Sequence, residues 1–334
     1  MTLPRILADN LRLPVIGAPL FIVSNPDLVI AQCKAGIVGS FPALNARPAE
    51  ELDVWLRRIT SELAEYKAAH PGKKVAPFAV NQIVHQSNDR LQHDVEMCVK
   101  HEVPVIITSL RAPTEVIPPI HSYGGLVFHD VINVRHAKKA VEAGVDGLIL
   151  VCAGAGGHAG TLSPFALVSE IRSFYDGPII LSGSITSGDH VLAAQAMGAD
   201  LAYMGTRFVA TEEANAEDDY KGMIVDSSAQ DIVYTSLFTG VHGNYLSGSI
   251  ERAGMDPNNL PEGDKSTMKF GSGGSSKSKA WKDIWGAGQG VGGIRNVLPA
   301  GQVVDNLERE YRAAQARSAA TPWSTRQEPD SASA

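Results

Sequence analysis

Between residue 14 and about residue 204, short runs of apolar and often β-branched residues alternate with longer stretches in which apolar positions recur at helical spacing. The short runs predict eight strands: Val15–Gly17, Ile37–Ser40, Val75–Val80, Val105–Thr108, Gly125–Phe128, Leu148–Val151, Ile179–Ser182 and Leu201–Met204. They are almost uniformly apolar, as strands buried on both faces are. Alternating strands and helices imply a parallel sheet with helices outside it. Eight such units are the count of a (β/α)8 barrel. An open doubly wound sheet would give a similar string, and the count favours closure.

Helix punctuation agrees with this layout. Asn25-Pro26 opens one helical pattern that Ala35-Gly36 closes, Ser163-Pro164 opens another, and Ser187-Gly188-Asp189 precedes a third that stops at Gly198. Two helix-to-strand joints repeat a Gly-x-Asp, at Gly144-Val145-Asp146 and Gly198-Ala199-Asp200, which reads as structural turn chemistry.

After Phe208 the alternation fades. Residues 216 to 253 read as mainly helical, including Asp231 to Phe238, and the polar, glycine- and serine-rich stretch from Asp256 to Lys279 reads as a flexible lid. The expected organisation is therefore a barrel from 1–215 and 282–317, a small mainly helical cap with its lid at 216–281, and a disordered tail at 318–334. The last helix is expected from Val303 to about Ala316.

With 334 residues, 44% of them hydrophobic, the chain can bury a large core. A net charge of −7, with 29 Lys and Arg scattered along the chain, offers no footprint for nucleic acid or an anionic membrane, so the expected partner is a small molecule. Cys33, Cys98 and Cys152 lie far apart with no CxxC, which supports neither a disulfide framework nor a metal site. No signal-like N-terminus and no apolar run of about 18 residues is present, so a cytoplasmic location is expected and a membrane span is not.

Candidate chemistry gathers at the ends of the strands. The stretch Gly154-Ala155-Gly156-Gly157-His158-Ala159-Gly160 follows the sixth strand and sets one titratable histidine in a backbone almost without side chains. Alone, it is equally a tight turn with a solvated histidine. The seventh strand runs into Gly183-Ser184 and the eighth into Met204-Gly205-Thr206-Arg207, and loops in these positions of a barrel often hold a phosphate. Arg207 adds a charge there or pairs on the surface. Gly17-Ala18-Pro19-Leu20, after the first strand, leaves room for a planar ring, and Asn81-Gln82, after the third, can aim amides at its edge. A second glycine-dense segment, Trp285 to Ile294, is too apolar for a linker and carries Gln289. Phosphate turn, ring platform and histidine together point to FMN, since no side chain here supplies redox chemistry.

At this point Gly17-Ala18-Pro19, Phe78-Ala79-Val80-Asn81, Gly156-Gly157-His158-Ala159-Gly160, Gly205-Thr206-Arg207-Phe208 and Ala287-Gly288-Gln289 together resemble the nitronate monooxygenase family. The same superfamily includes NADH:quinone reductases and flavin-dependent enoyl-acyl-carrier-protein reductases. The resemblance spans about residues 11 to 315 and implies a TIM barrel with a small, mostly helical second domain and FMN between them. It implies oxidation of alkyl nitronates by O2 to carbonyl compounds and nitrite, with His158 as the catalytic residue. Phosphate contacts then fall on Gly183, Ser184, Gly205 and Thr206, and ring contacts on Gly17 to Leu20 and Asn81. Gly156, Gly157 and Gly160 make space for the cofactor, and Met204 and Gln289 lie beside it. Gly183-Ser184 stands where relatives often have Gly-Gly, and His129-Asp130 stands where some have a lysine, which makes His129 a candidate cofactor contact. Other open readings are an NAD(P)H-dependent reductase of quinones or enoyl thioesters and a phosphate-binding barrel isomerase or aldolase. A homodimer is compatible with the sequence.

Overall fold

The computed structural model describes residues 3–263 and 283–320. Eight parallel strands follow one another around a barrel: β1 (Val15–Gly17), β2 (Gly39–Pro42), β3 (Phe78–Val84), β4 (Val105–Leu110), β5 (Leu126–Val131), β6 (Gly147–Val151), β8 (Ile179–Ser182) and β9 (Leu201–Met204). The two-residue strand β7 (Gly157–His158) belongs to another sheet, so β8 and β9 are the seventh and eighth barrel strands. β1 pairs with β9, and a bridge between Ile16 and Val38, just ahead of β2, brings the sheet round on itself.

The strand limits shift from the sequence reading for local reasons. β3 begins after Pro77, which has no N–H to give to a ladder. β5 runs on to Val131, three residues past its expected end, and so carries Asp130 within the sheet. Alternation sets two cores. Ile16, Ala79, Ile107, Phe128, Ile149, Ile180 and Tyr203 fill the barrel interior. Val80, Ile106, Val127, Leu148, Leu181 and Met204 face the helices. The N-terminal segment plugs the barrel floor with Leu7 and Leu11.

Both Gly-x-Asp joints do the same job. Asp146 accepts a hydrogen bond from the Val127 amide at 2.7 Å, and Asp200 accepts one from the Ile179 amide at 2.8 Å, each tying a strand start to its neighbour. The helix Ala300–Ala319 is longer than expected at both ends, and its Asp305 and Glu308 hold Arg12 while Glu310 accepts from the Gly188 amide.

The cap departs most from its sequence reading. It contains the helices Asp218–Asp226 and Ser247–Arg252, but Ile232–Thr235, read as helical, is the strand β10. β10 pairs antiparallel with β11 (Gly243–Leu246), and β11 with β7. The β-branched and aromatic run Ile232-Val233-Tyr234-Thr235 suits a strand once a partner strand is present. The expected lid falls mostly on residues 264–282, outside the described residues, as does the tail from residue 321 onward; Ser318 and Ala319 are helical.

Candidate active site

A cavity of about 1010 Å³ opens at the C-terminal mouth of the barrel, between the strand ends and the cap. Ala18, Pro19, Leu20, Asn81, Gly156, Gly157, His158, Gly183, Ser184, Gly205 and Thr206 all line it, although they come from strand ends and loops spread over nearly 190 residues of sequence.

The loop carrying His158 is held by the cap. Gly157 and His158 form β7 against β11, Asn244 Nδ2 donates to Ala155 O at 2.6 Å, and Tyr234 Oη donates to Ala159 O at 3.0 Å. His158 Nε2 lies 3.0 Å from Thr239 Oγ1. Burial lowers the imidazole pKa from 6.5 to about 4, so the ring is neutral at pH 7. Thr239 Oγ1 in turn donates to Val241 O at 2.9 Å and accepts from Val241 N at 3.2 Å, which fixes the hydroxyl beside the ring.

On the opposite side, Gly183 and Ser184 both have positive φ, 131° and 55°, and turn the chain sharply after β8. Such a conformation in a serine carries strain, and strain of this kind concentrates at ligand sites. Gly205 and Thr206 open the one-turn helix Thr206–Val209, whose first amides have no acceptor within the helix. A Cβ on Gly205 would come within 3.3 Å of Leu20 Cδ2, so a side chain there would crowd the ring platform. The glycine-dense C-terminal segment stitches these loops together: Gly288 N donates to Thr206 Oγ1 at 2.9 Å, and Gln289 N donates to Gly154 O at 2.9 Å.

Five expected residues do not line the cavity. On β5, His129 faces the helix layer, opposite in parity to Phe128 and Asp130; it is buried, bonded to Thr108 at 2.8 Å, and burial lowers its pKa to about 4. Met204 packs into the outer core for the same reason. At Gly17 a Cβ would collide with Gln32, so that glycine serves helix packing. Gly160 is buried with its amide on Val151 O, and Gln289 pins the loop through its backbone while its side chain reaches toward Gly154. Arg207 is neither a ligand group nor a surface charge: it is buried and donates to Asn296 O at 3.1 Å. Gln82, also outward, donates to Cys98 Sγ.

Among the cavity groups that the sequence reading did not single out, three are hydrogen-bonded to one another or to His158. Asp130 and Ser109 line the cavity, with Ser109 Oγ donating to Asp130 Oδ2 at 2.6 Å, and burial raises the Asp130 pKa from 3.8 to about 7. Counting by twos from Phe128 would have found Asp130 on the inner face. Thr239, the third, sits in the cap loop between β10 and β11 and had no sequence signal.

The comparisons with known proteins accord with this geometry. The model of the family described as nitronate monooxygenase matches residues 6–310. The chain belongs to the nitronate monooxygenase family. Its membership supports an oxidoreductase with a flavin cofactor, a small-molecule substrate and O2. A nitronate monooxygenase of Paraburkholderia phytofirmans is 26% identical, covering 90% of this chain and 92% of that protein. A (3aS,4S,5R,7aS)-5-hydroxy-7a-methyl-1-oxo-octahydro-1H-indene-4-carboxyl-CoA dehydrogenase of Rhodococcus jostii is 25% identical over 72% of this chain and 65% of its own length. Among solved structures, a nitroalkane oxidase from Streptomyces ansochromogenes superposes with a TM-score of 0.78 at 24% identity, covering 93% of this chain and 99% of that one. FabK from Thermotoga maritima gives 0.73 at 23%, covering 95% and 98%. Both share the TIM-barrel fold of this nitronate monooxygenase family member. No helix among its described residues is long and apolar enough to cross a membrane.

Proposed function

We propose that the cavity binds FMN and that the protein oxidises alkyl nitronates with molecular oxygen, yielding a carbonyl compound and nitrite. The observation that carries this reading is His158, a neutral imidazole on the wall of a glycine-lined cavity at the barrel mouth.

The residues present fit such a cofactor. Gly183, Ser184, Gly205 and Thr206 would hold the phosphate with amides and hydroxyls. Ala18, Pro19, Leu20 and Asn81 would bear on the ring, and Gly156 and Gly157 leave it room. When bound, the flavin supplies redox chemistry that no side chain of this protein provides.

His158 meets the substrate. Its neutral ring takes the α-proton of a neutral nitroalkane, and Thr239 keeps the ring oriented through its contact with Nε2. An anionic nitronate beside the ring raises the imidazole pKa, since opposite charge favours the protonated form. Arg47, also on the cavity wall, adds a cation for a carboxylate-bearing nitronate.

A visible spectrum of the pure protein, followed by anaerobic mixing with propionate 3-nitronate and separately with NADH, tests this. Bleaching of bound FMN by the nitronate and not by NADH is expected. Bleaching by NADH alone would instead indicate a reductase of quinones or enoyl thioesters, the direction in which the similarity to a CoA-ester dehydrogenase leans. A colourless protein that binds no FMN would indicate an isomerase or aldolase acting on a phosphorylated substrate.

A further inference from the structure

The residues that would hold FMN leave one half of the cavity unclaimed. They come from the loops after β1, β6, β8 and β9, with Asn81 alone from β3. Around the mouth from β1 to β5, which follow one another in the barrel, the lining includes an apolar arc: Phe21 and Ile22 after β1, Leu44 after β2, Ile83 on β3, Leu110 at the end of β4 and Ile132 after β5.

Two of these side chains stand where neither burial nor backbone preference asks for them. Ile22 and Leu110 have φ of 67° and 81°, the left-handed region that bulky and β-branched residues avoid and that glycine or asparagine enters more readily. Neighbouring segments hold the backbone there: Ile22 N donates to Asn45 Oδ1 at 2.9 Å, Ile22 O accepts from Asn215 Nδ2 at 3.1 Å, and Leu110 is paired in register with Val84. Both side chains are nevertheless exposed, at 40% and 37%. Strain of this kind collects at ligand sites, and each residue leaves apolar surface at the cavity mouth for a ligand to cover.

A cation interrupts the arc. Arg47 lines the cavity with its guanidinium 5.4 Å from the centre of the Phe21 ring, and its Nε donates to Leu44 O at 2.9 Å. Its loop is fixed by the buried Arg90, which donates to Ala46 O at 2.6 Å and pairs with Asp94 at 2.9 Å. Arg47 itself makes no ion pair among the described residues, so its two terminal nitrogens are left for an anion, which a carboxylate can meet bidentately. His136, the basic side chain after β5, is held below its ordinary range by burial and by Arg135 and Lys139, so the standing positive charge on this arc is that of Arg47.

We propose that this arc is a substrate subsite for an aliphatic carboxylic acid, the chain lying across Ile22, Ile83, Leu110 and Ile132 and the carboxylate meeting Arg47 at the cavity rim. Because Arg47 is exposed, the carboxylate keeps part of its hydration while the chain loses its own, so neither end carries the full cost of burying a charge. The nature of the reacting carbon rests on the nitronate reading: the substrate is then a nitro-substituted fatty acid rather than a short nitroalkane, with Arg47 and Leu110 setting the specificity.

Octanoate, butanoate and octanamide are the probes, and their binding to the full chain as purified is read by calorimetry. Octanoate is expected to bind about tenfold more tightly than butanoate, since each covered methylene contributes, and about fivefold more tightly than octanamide, the worth of a partly exposed charge pair. Arg47→Met should erase the advantage over octanamide and leave octanamide binding as it was. Leu110→Asn suits the backbone and removes the aliphatic contact, so it should weaken octanoate by about threefold and leave butanoate unchanged. Failure of octanoate to bind, equal binding of the three probes, or variants that keep the preferences of the unmodified protein overturns the proposal. So does a fall in the melting temperature of ligand-free Leu110→Asn with octanoate binding unchanged, which would mean that the arc is covered by this chain itself. The nitronate reading fails separately: a protein that shows these preferences, and whose flavin is not bleached by the nitronate of ω-nitrooctanoate, keeps the subsite and loses the reacting group.

Discussion

The two sides of the cavity are built on different principles. The side formed by β3, β4 and β5 carries Asn81, Ser109 and Asp130 on a rigid parallel ladder, and its polar groups are set by strand parity. The other side, Gly154 to Gly160 with Gly183-Ser184 and Gly205-Thr206, is loop, and it is shaped by distant segments: β11, Thr239 and the glycine segment at 285–294. Strand-borne groups are precise because the barrel over-determines them. The loop-borne groups are precise only because other loops bind them.

The largest effect should come from the loop side. His158→Asn is expected to lower turnover of a neutral nitroalkane by about 100-fold or more, the ordinary worth of a positioned general base, while a preformed nitronate loses much less. Parallel steady-state assays on the two substrate forms check this, and equal small losses would remove His158 from proton abstraction.

Next, Thr206→Val should loosen the stitch to Gly288 and remove a hydroxyl from the phosphate turn. FMN affinity is expected to fall by about tenfold, in line with about 1–2 kcal/mol for a buried hydrogen bond left unmade. Riboflavin titration should show a smaller loss, and equal losses would mean that Thr206 serves only the loop.

Protonation should separate the two sides by sign in the flavin-free protein. The His158 pKa is depressed, so its contribution to stability is present above about pH 6.5 and is lost as pH falls through about 4. The Asp130 pKa is raised, so its contribution is full below about pH 3.8 and is lost as pH rises through about 7. Thermal melts should therefore find Asp130→Asn gaining more on the unmodified protein at about pH 8 than at about pH 5, and His158→Asn the reverse. Melts in which both variants shift the same way with pH would erase the distinction.

The smallest effect is expected at His129. Because its ring faces the helix layer, His129→Gln should change flavin affinity by less than about twofold, well inside the worth of one hydrogen bond. A larger change in a fluorescence titration would return it to the site.

The same contrast explains what could be read in advance. Strand number, order and the loops after β6, β8 and β9 followed from apolar runs and glycine positions, because a parallel barrel leaves a strong periodic imprint. His158, Asn81 and the phosphate-turn residues followed from lying at strand ends. His129 and Met204 were misjudged by one residue of parity, and Asp130 was passed over for the same reason, since β5 was expected to end at Phe128 and in fact extends past it. The strand β10 and Thr239 were not legible: Ile232–Thr235 becomes a strand through pairing with β11, and Thr239 reaches His158 across 81 positions of sequence. No local pattern encodes a partner that far away.

The stitch between Gly288 and Thr206 also orders events in time. A chain emerges from the ribosome N-terminus first, at about 5–20 residues per second, so all eight barrel strands are available well before residue 288 is made. For several seconds the nascent protein has its strand-borne wall but lacks the segment that fixes the loops opposite. The loops opposite that wall are therefore fixed late, after every barrel strand has been made.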